Sequence, residues 1–118
     1  MKDLPNPFEA MLQPGIEYSD VIREGFETIE VFNNRKEVIK ILIADAGDNR
    51  FAFGYDIYFL SGRNAQRLPS LEMGYCSSRV NAILYFLGYI KTYASMFSEN
   101  VIFEVDRLIG QYLQSSLF

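Results

Sequence analysis

The sequence predicts an α+β domain in which a three-stranded antiparallel sheet is followed by two C-terminal helices packed on one face. Two patterns predict this class: apolar residues alternate with a period of two from about residue 26 to residue 60, and a helical period follows from about residue 77. Hydrophobic residues make up 49% of the 118-residue chain and charged residues 22%, enough apolar surface to offset the entropy of ordering. We therefore expect residues 1–118 to form a single folded domain.

Three segments near 26–33, 37–45 and 50–60 have the alternation of half-buried strands. In the first, Ile29 and Val31 share a face, and the second, EVIKILIA, is rich in β-branched residues. A helix over 35–46, capped by Asn34 and Gly47, is the competing interpretation of the second segment. The third segment places aromatic or β-branched side chains on one face: Phe51, Phe53, Tyr55, Ile57 and Phe59.

Turn-forming residues separate these strands. Asn33 and Asn34 are suited to a hairpin connection, and Gly47, Asp48 and Asn49 to a tight turn before the third strand. After the third strand, the stretch over residues 63–75 has no clear periodicity and is predicted to be a polar loop.

Two helices are predicted near 77–95 and 98–115. Ser77 or Ser78 is suited to cap the first helix and Ser98 the second. The second helix is plainly amphipathic, whereas the first is apolar around most of its circumference. Its two apolar stripes are Val80, Ile83, Leu84, Leu87 and Ile90, and Ala82, Phe86, Tyr89 and Tyr93.

The N-terminal segment, residues 1–25, is predicted to be acidic and loosely structured. Pro5, Pro7, Pro14 and Gly15 divide it into short pieces. The net charge of -4 is unevenly distributed, because residues 1–32 and 99–118 are acidic and residues 33–98 are basic. We expect these charges to lie mainly on a solvated surface.

The chain contains only one cysteine, Cys76, which excludes an intramolecular disulfide. It contains no histidine, the residue that most often serves as a general base and as a transition-metal ligand. Asp45, Asp48 and Asn49 lack the pattern of a calcium-binding loop. We therefore assign no catalytic residue, no metal ligand and no cofactor, and expect a protein that is not an enzyme. A cofactor-free enzyme using Asp56 or Glu72 stays open if a deep pocket holds them.

No segment has the length and apolar character of a membrane span or of a secretory signal. A cytoplasmic location without membrane contact is the resulting expectation, and a single cysteine agrees with a reducing compartment.

Self-association is the leading functional hypothesis. One face of a small sheet covers only one of the two apolar stripes on the first helix, so the stripe with Phe86, Tyr89 and Tyr93 needs another cover. A homodimer related by a two-fold axis provides it. The alternative is that the N-terminal segment covers this surface within one chain.

The second functional hypothesis is an accessory protein that binds single-stranded nucleic acid. Guanidinium groups bind phosphates and aromatic rings stack on bases, and the chain combines both kinds of side chain around its third strand. The acidic isoelectric point, about 4.8, argues against a dedicated nucleic-acid binder. The residues concerned are Arg50, Tyr58, Arg63, Arg67 and Arg79.

Overall fold

A central antiparallel sheet organises the protein. The computed structural model describes residues 20–59 and 64–116, so most of the N-terminal segment predicted to be loosely structured, residues 1–25, lies outside the described residues. The strands are β1 (Glu27–Asn33), β2 (Glu37–Asp45), β3 (Phe51–Phe59), β4 (Asn64–Arg67) and β5 (Tyr75–Cys76). Their order is β1-β2-β3-β4, and β5 also pairs with β3. Because β2 occupies one edge of β3 along the whole length of β3, β4 and β5 share the other edge.

The predicted α+β class is confirmed, with two corrections. Residues 37–45 are a strand paired on both sides, so the competing helix over 35–46 is wrong. The sheet has more than three strands, because β4 and β5 form within the stretch predicted to be a polar loop. Each has a neighbour on one side only, so neither needs the apolar alternation by which a central strand is recognised.

The hairpin turns are stabilised by side chains as well as by backbone geometry. The Asn34 side-chain oxygen accepts hydrogen bonds from the backbone N–H groups of Lys36 and Glu37, at 2.8 and 2.9 Å. This Asx turn replaces the left-handed conformation expected at the asparagines. The second turn does use that conformation, at Gly47, Asp48 and Asn49, with φ of 83°, 55° and 57°.

Helices α1 (Arg79–Thr92) and α2 (Glu99–Ser116) follow the sheet, joined by a 3-10 turn over Ala94–Met96. Both predicted caps are confirmed: Ser78 Oγ accepts from the backbone N–H of Asn81 at 3.1 Å, and Ser98 Oγ from that of Val101 at 3.3 Å. Among the described helices, none combines the length and apolarity needed to cross a bilayer.

The core lies between the sheet and the helices. Rings from β3 pack on rings from the helical half, with centroids 5.8 Å apart for Tyr55 and Phe86 and 5.6 Å for Phe59 and Phe97. The residues of β2 and β3 predicted to face inward lie in this core, but burial does not alternate along the full strands, because Leu42, Ala44 and Ala52 on the other face are also buried. The largest fully buried side chains are Tyr55, Phe53, Phe86, Ile39, Ile41, Ile57, Met73, Ile83, Leu87, Ile90 and Val101.

The opposite face of the sheet is closed around Gly54. A Cβ atom on Gly54 would lie 2.3 Å from the carbonyl oxygen of Arg67 and 2.7 Å from the nitrogen of Pro69. The backbone after β4 therefore crosses this face in direct contact with β3. Ile22 donates its N–H to the Pro69 carbonyl at 2.8 Å, so residues 21–22 are attached to the crossing segment.

Replacing Gly54 by alanine is expected to lower the free energy of unfolding by about 2–3 kcal/mol, because backbone rather than a flexible side chain obstructs the new methyl group. Urea denaturation followed by circular dichroism measures the change. The matched control is Gly88→Ala on α1, where the Cβ position is open. That substitution should raise the stability by about 0.8 kcal/mol, and equal effects at the two sites would contradict the close crossing.

Candidate functional site

The stripe predicted for self-association divides between core and surface. Phe86 is 0% exposed and packs on Tyr55 within the chain's own core, so its side chain is closed off from any partner. Tyr89 and Tyr93 are half-buried.

Tyr89 and Tyr93 belong to an aromatic ladder along one flank of α1. The Tyr89 ring lies 5.0 Å from that of Tyr85 and 6.5 Å from that of Tyr93, and Tyr85 in turn lies 5.4 Å from Phe53 of β3. These spacings are those of packed aromatic pairs. The ladder therefore anchors the helix to the sheet and leaves only part of its surface to solvent.

Among the described residues, the most exposed large apolar side chain is on α2. Phe103 is 73% exposed, and Leu113, about 80° around the helix from it, is 51% exposed. Val101 and Val105 are fully buried on the opposite side, against the core. A Cβ atom on Gly110 would have nothing within 4 Å, so the helix surface at Gly110 is open.

The charged residues around Phe103 are paired within the chain. Arg107 Nε donates to both carboxylate oxygens of Glu104 at 3.0 Å, and this bond holds the pKa of Glu104 below its ordinary value. Lys91 of α1 lies 2.7 Å from Asp106. The exposed side of α2 therefore presents an apolar ring beside two ion pairs whose charges balance.

The arginines of the nucleic-acid hypothesis are largely engaged. Arg50 lies in the turn before β3, where it donates to the carbonyl oxygens of Ala46 and Gly47, each at 3.2 Å. Arg79, at the start of α1, binds both carboxylate oxygens of Glu27 at 2.6 and 2.7 Å. The two arginines share one end of the sheet.

The aromatic and remaining basic members lie elsewhere. Tyr58 is exposed near the far end of β3, about 26 Å along the strand from Arg50. Arg67 pairs with Tyr55, so it belongs to the sheet face that carries the helices, whereas Tyr58 belongs to the opposite face. Arg63 lies outside the described residues. The described members are thus not brought together on one surface.

The residues considered for metal binding or catalysis do not form a cluster of metal ligands in the described part of the chain. Within residues 20–59 and 64–116, no three potential ligands cluster in a way that could hold a metal ion. Asp56 is paired in register with Lys40 and Gln66 on the outer sheet face. Burial raises the pKa of the Cys76 thiol, which favours the unreactive protonated form.

Comparison of the chain with protein-family models, with curated proteins and with solved structures finds no match.

Phe103 was not predicted from the sequence as a functional residue, although the sequence contains a signal for it. Arg107, Gly110 and Gln114 follow Phe103 at i+4, i+7 and i+11, so a helical projection places this phenylalanine among residues that face water. An apolar ring on the polar side of an amphipathic helix is the feature that marks the surface.

Cys76 is expected to react with iodoacetamide at pH 8 at least about tenfold more slowly than a small free thiol, because half-burial disfavours the thiolate and limits access. Mass spectrometry follows the reaction, and Cys76→Ser controls for labelling elsewhere. Unfolding in urea should restore the rate, and a fast reaction of the folded chain would contradict the burial.

The Glu27 and Arg79 pair predicts a pH-dependent contribution to stability. The hydrogen bonds from Arg79 hold the pKa of Glu27 below its ordinary value of 4.5. Such a carboxylate stabilises the fold above the ordinary pKa, and this contribution is lost as the pH falls through the lowered one. Because both side chains are nearly half-exposed, Glu27→Gln should cost no more than about 1 kcal/mol at pH 7.

The difference between wild type and Glu27→Gln should disappear in acid, as measured by urea denaturation at pH 7, 4 and 2.5. Glu24→Gln, at an exposed position close in sequence, serves as the control for the change in net charge. A difference that persists at pH 2.5 would show that the ion pair is not its cause.

Proposed function

We propose that the protein is a small, non-enzymatic interaction module of the cytoplasm that self-associates as a homodimer. The observation that carries the proposal is Phe103, which is 73% exposed on a helix whose opposite side fills the core. Burying one phenylalanine side chain contributes about 1.5–3 kcal/mol, and a two-fold pair buries two.

The rest of the described surface supports this location of the interface. The aromatic stripe first predicted for self-association is packed within the chain at Phe86, and the outer face of the sheet is closed around Gly54. On the outer side of α2, no described element covers Phe103. An exposed apolar group with a polar border is typical of a protein interaction site.

The cytoplasmic part of the proposal is supported by chemistry at Cys76. It is the chain's only cysteine and its thiol is free, which suits a reducing compartment.

Sedimentation velocity of the full chain from about 5 to about 200 µM is expected to show a reversible shift from one to two copies, because an interface formed by one helix is at the small end of specific interfaces. A strict monomer throughout this range would contradict self-association. A monomer that bound a labelled single-stranded oligonucleotide, with affinity falling as salt rises, would favour the arginine and aromatic hypothesis instead.

A further inference from the structure

We infer that the partner of the α2 surface is a second α2 in antiparallel orientation, with Phe103 of each copy seated over Gly110 of the other. This inference rests on the proposed self-association and assigns its interface. The surface is defined by Phe103, Asp106, Arg107, Gly110 and Leu113.

The first support is shape. Phe103 and Gly110 are seven residues apart, which is two turns, so they lie on the same side of the helix about 10.5 Å apart. The phenylalanine projects and the glycine leaves a hollow, with nothing within 4 Å of its Cβ position. A surface that carries both a projection and a hollow is self-complementary under a two-fold rotation.

The geometry fixes the orientation. With the two-fold axis perpendicular to the helices and near Asp106 and Arg107, residue 103 of one copy faces residue 110 of the other in both directions. A parallel pair would instead place ring against ring and hollow against hollow. The antiparallel arrangement is therefore the one that fills the hollow.

The second support is charge. The chain has a net charge of -4, which opposes association, yet the charged residues between Phe103 and Gly110 are each paired with an opposite charge. Asp106 is paired with Lys91 at 2.7 Å, and Glu104 with Arg107. Although the two copies bring their Asp106 side chains close to the axis, each carries its own lysine, so the surfaces meet without net repulsion.

The hollow is tested by Gly110→Leu. The side chain has free space within one chain, so the monomer should keep its fold, and the helix itself favours leucine over glycine. In the dimer the leucine occupies the place of the phenylalanine ring, and we expect the dissociation constant to rise at least about tenfold. Gly88→Leu, at an equally open site on α1, should leave the dissociation constant unchanged.

The projecting ring is tested by Phe103→Ala, which should raise the dissociation constant by a similar factor while leaving the thermal midpoint of the monomer nearly unchanged. Sedimentation and thermal unfolding are measured on every variant. A wild type that stays monomeric contradicts the proposed function, whereas a dimer that tolerates both Gly110→Leu and Phe103→Ala contradicts only this interface.

Orientation is tested by cross-linking in a Cys76→Ser background. Glu99→Cys and Gln114→Cys lie near the two ends of the surface and outside the ring and hollow. When the two variants are mixed and oxidised, peptide mapping should find a disulfide between positions 99 and 114. Disulfides joining 99 to 99 and 114 to 114, or none in chains that still dimerise, would overturn the antiparallel arrangement.

Discussion

The structure depends on the pairing of β2 with β3, which joins Glu37–Asp45 to Phe51–Phe59 in register without interruption. Because side chains alternate along a strand, this register places Ile39 and Ile41 beside Ile57 and Tyr55 on one face. A slip of one residue would turn this apolar set to the other face. The helices, the core and the exposed side of α2 all take their positions from that face.

The same pairing explains why the outer face is closed at one point. Leu42 pairs with Gly54, and both lie on the side away from the helices. Only a residue without a side chain allows the backbone near Pro69 to pass over β3 in contact. A position without a side chain in the central strand thus lets a short segment lie against the face that also carries Leu42, which is almost completely buried.

Much of the fold could be predicted from the sequence, since its main elements have strong local signals. Alternation identified β1 to β3, and serine hydroxyls at Ser78 and Ser98 marked the helix starts. Edge strands such as Asn64–Arg67 have no such signal, because backbone pairing to β3 holds them rather than burial of alternate side chains.

The candidate site was less predictable. Phe86 belongs to a stripe that includes Tyr89 and Tyr93, and sequence periodicity does not show which part of a nearly all-apolar helix turns toward the sheet. Phe103 was visible as an apolar residue on a polar side. Whether Phe103 is exposed depends on whether another element covers that side of the helix, and this is a property of the tertiary structure.

The two open helix glycines show why the proposed interface rests on a combination of features and not on glycine itself. Glycine in a helix interior costs about 1 kcal/mol relative to alanine, and neither Gly88 nor Gly110 has a neighbour that excludes a methyl group. Gly88 lies one turn from both Tyr85 and Lys91 on α1, a helix that already packs on the sheet through Tyr85. Gly110 lies two turns from Phe103, a ring that the chain leaves exposed. Packing among the described residues accounts for neither the exposed ring nor the open position near it, whereas the proposed second helix would account for both.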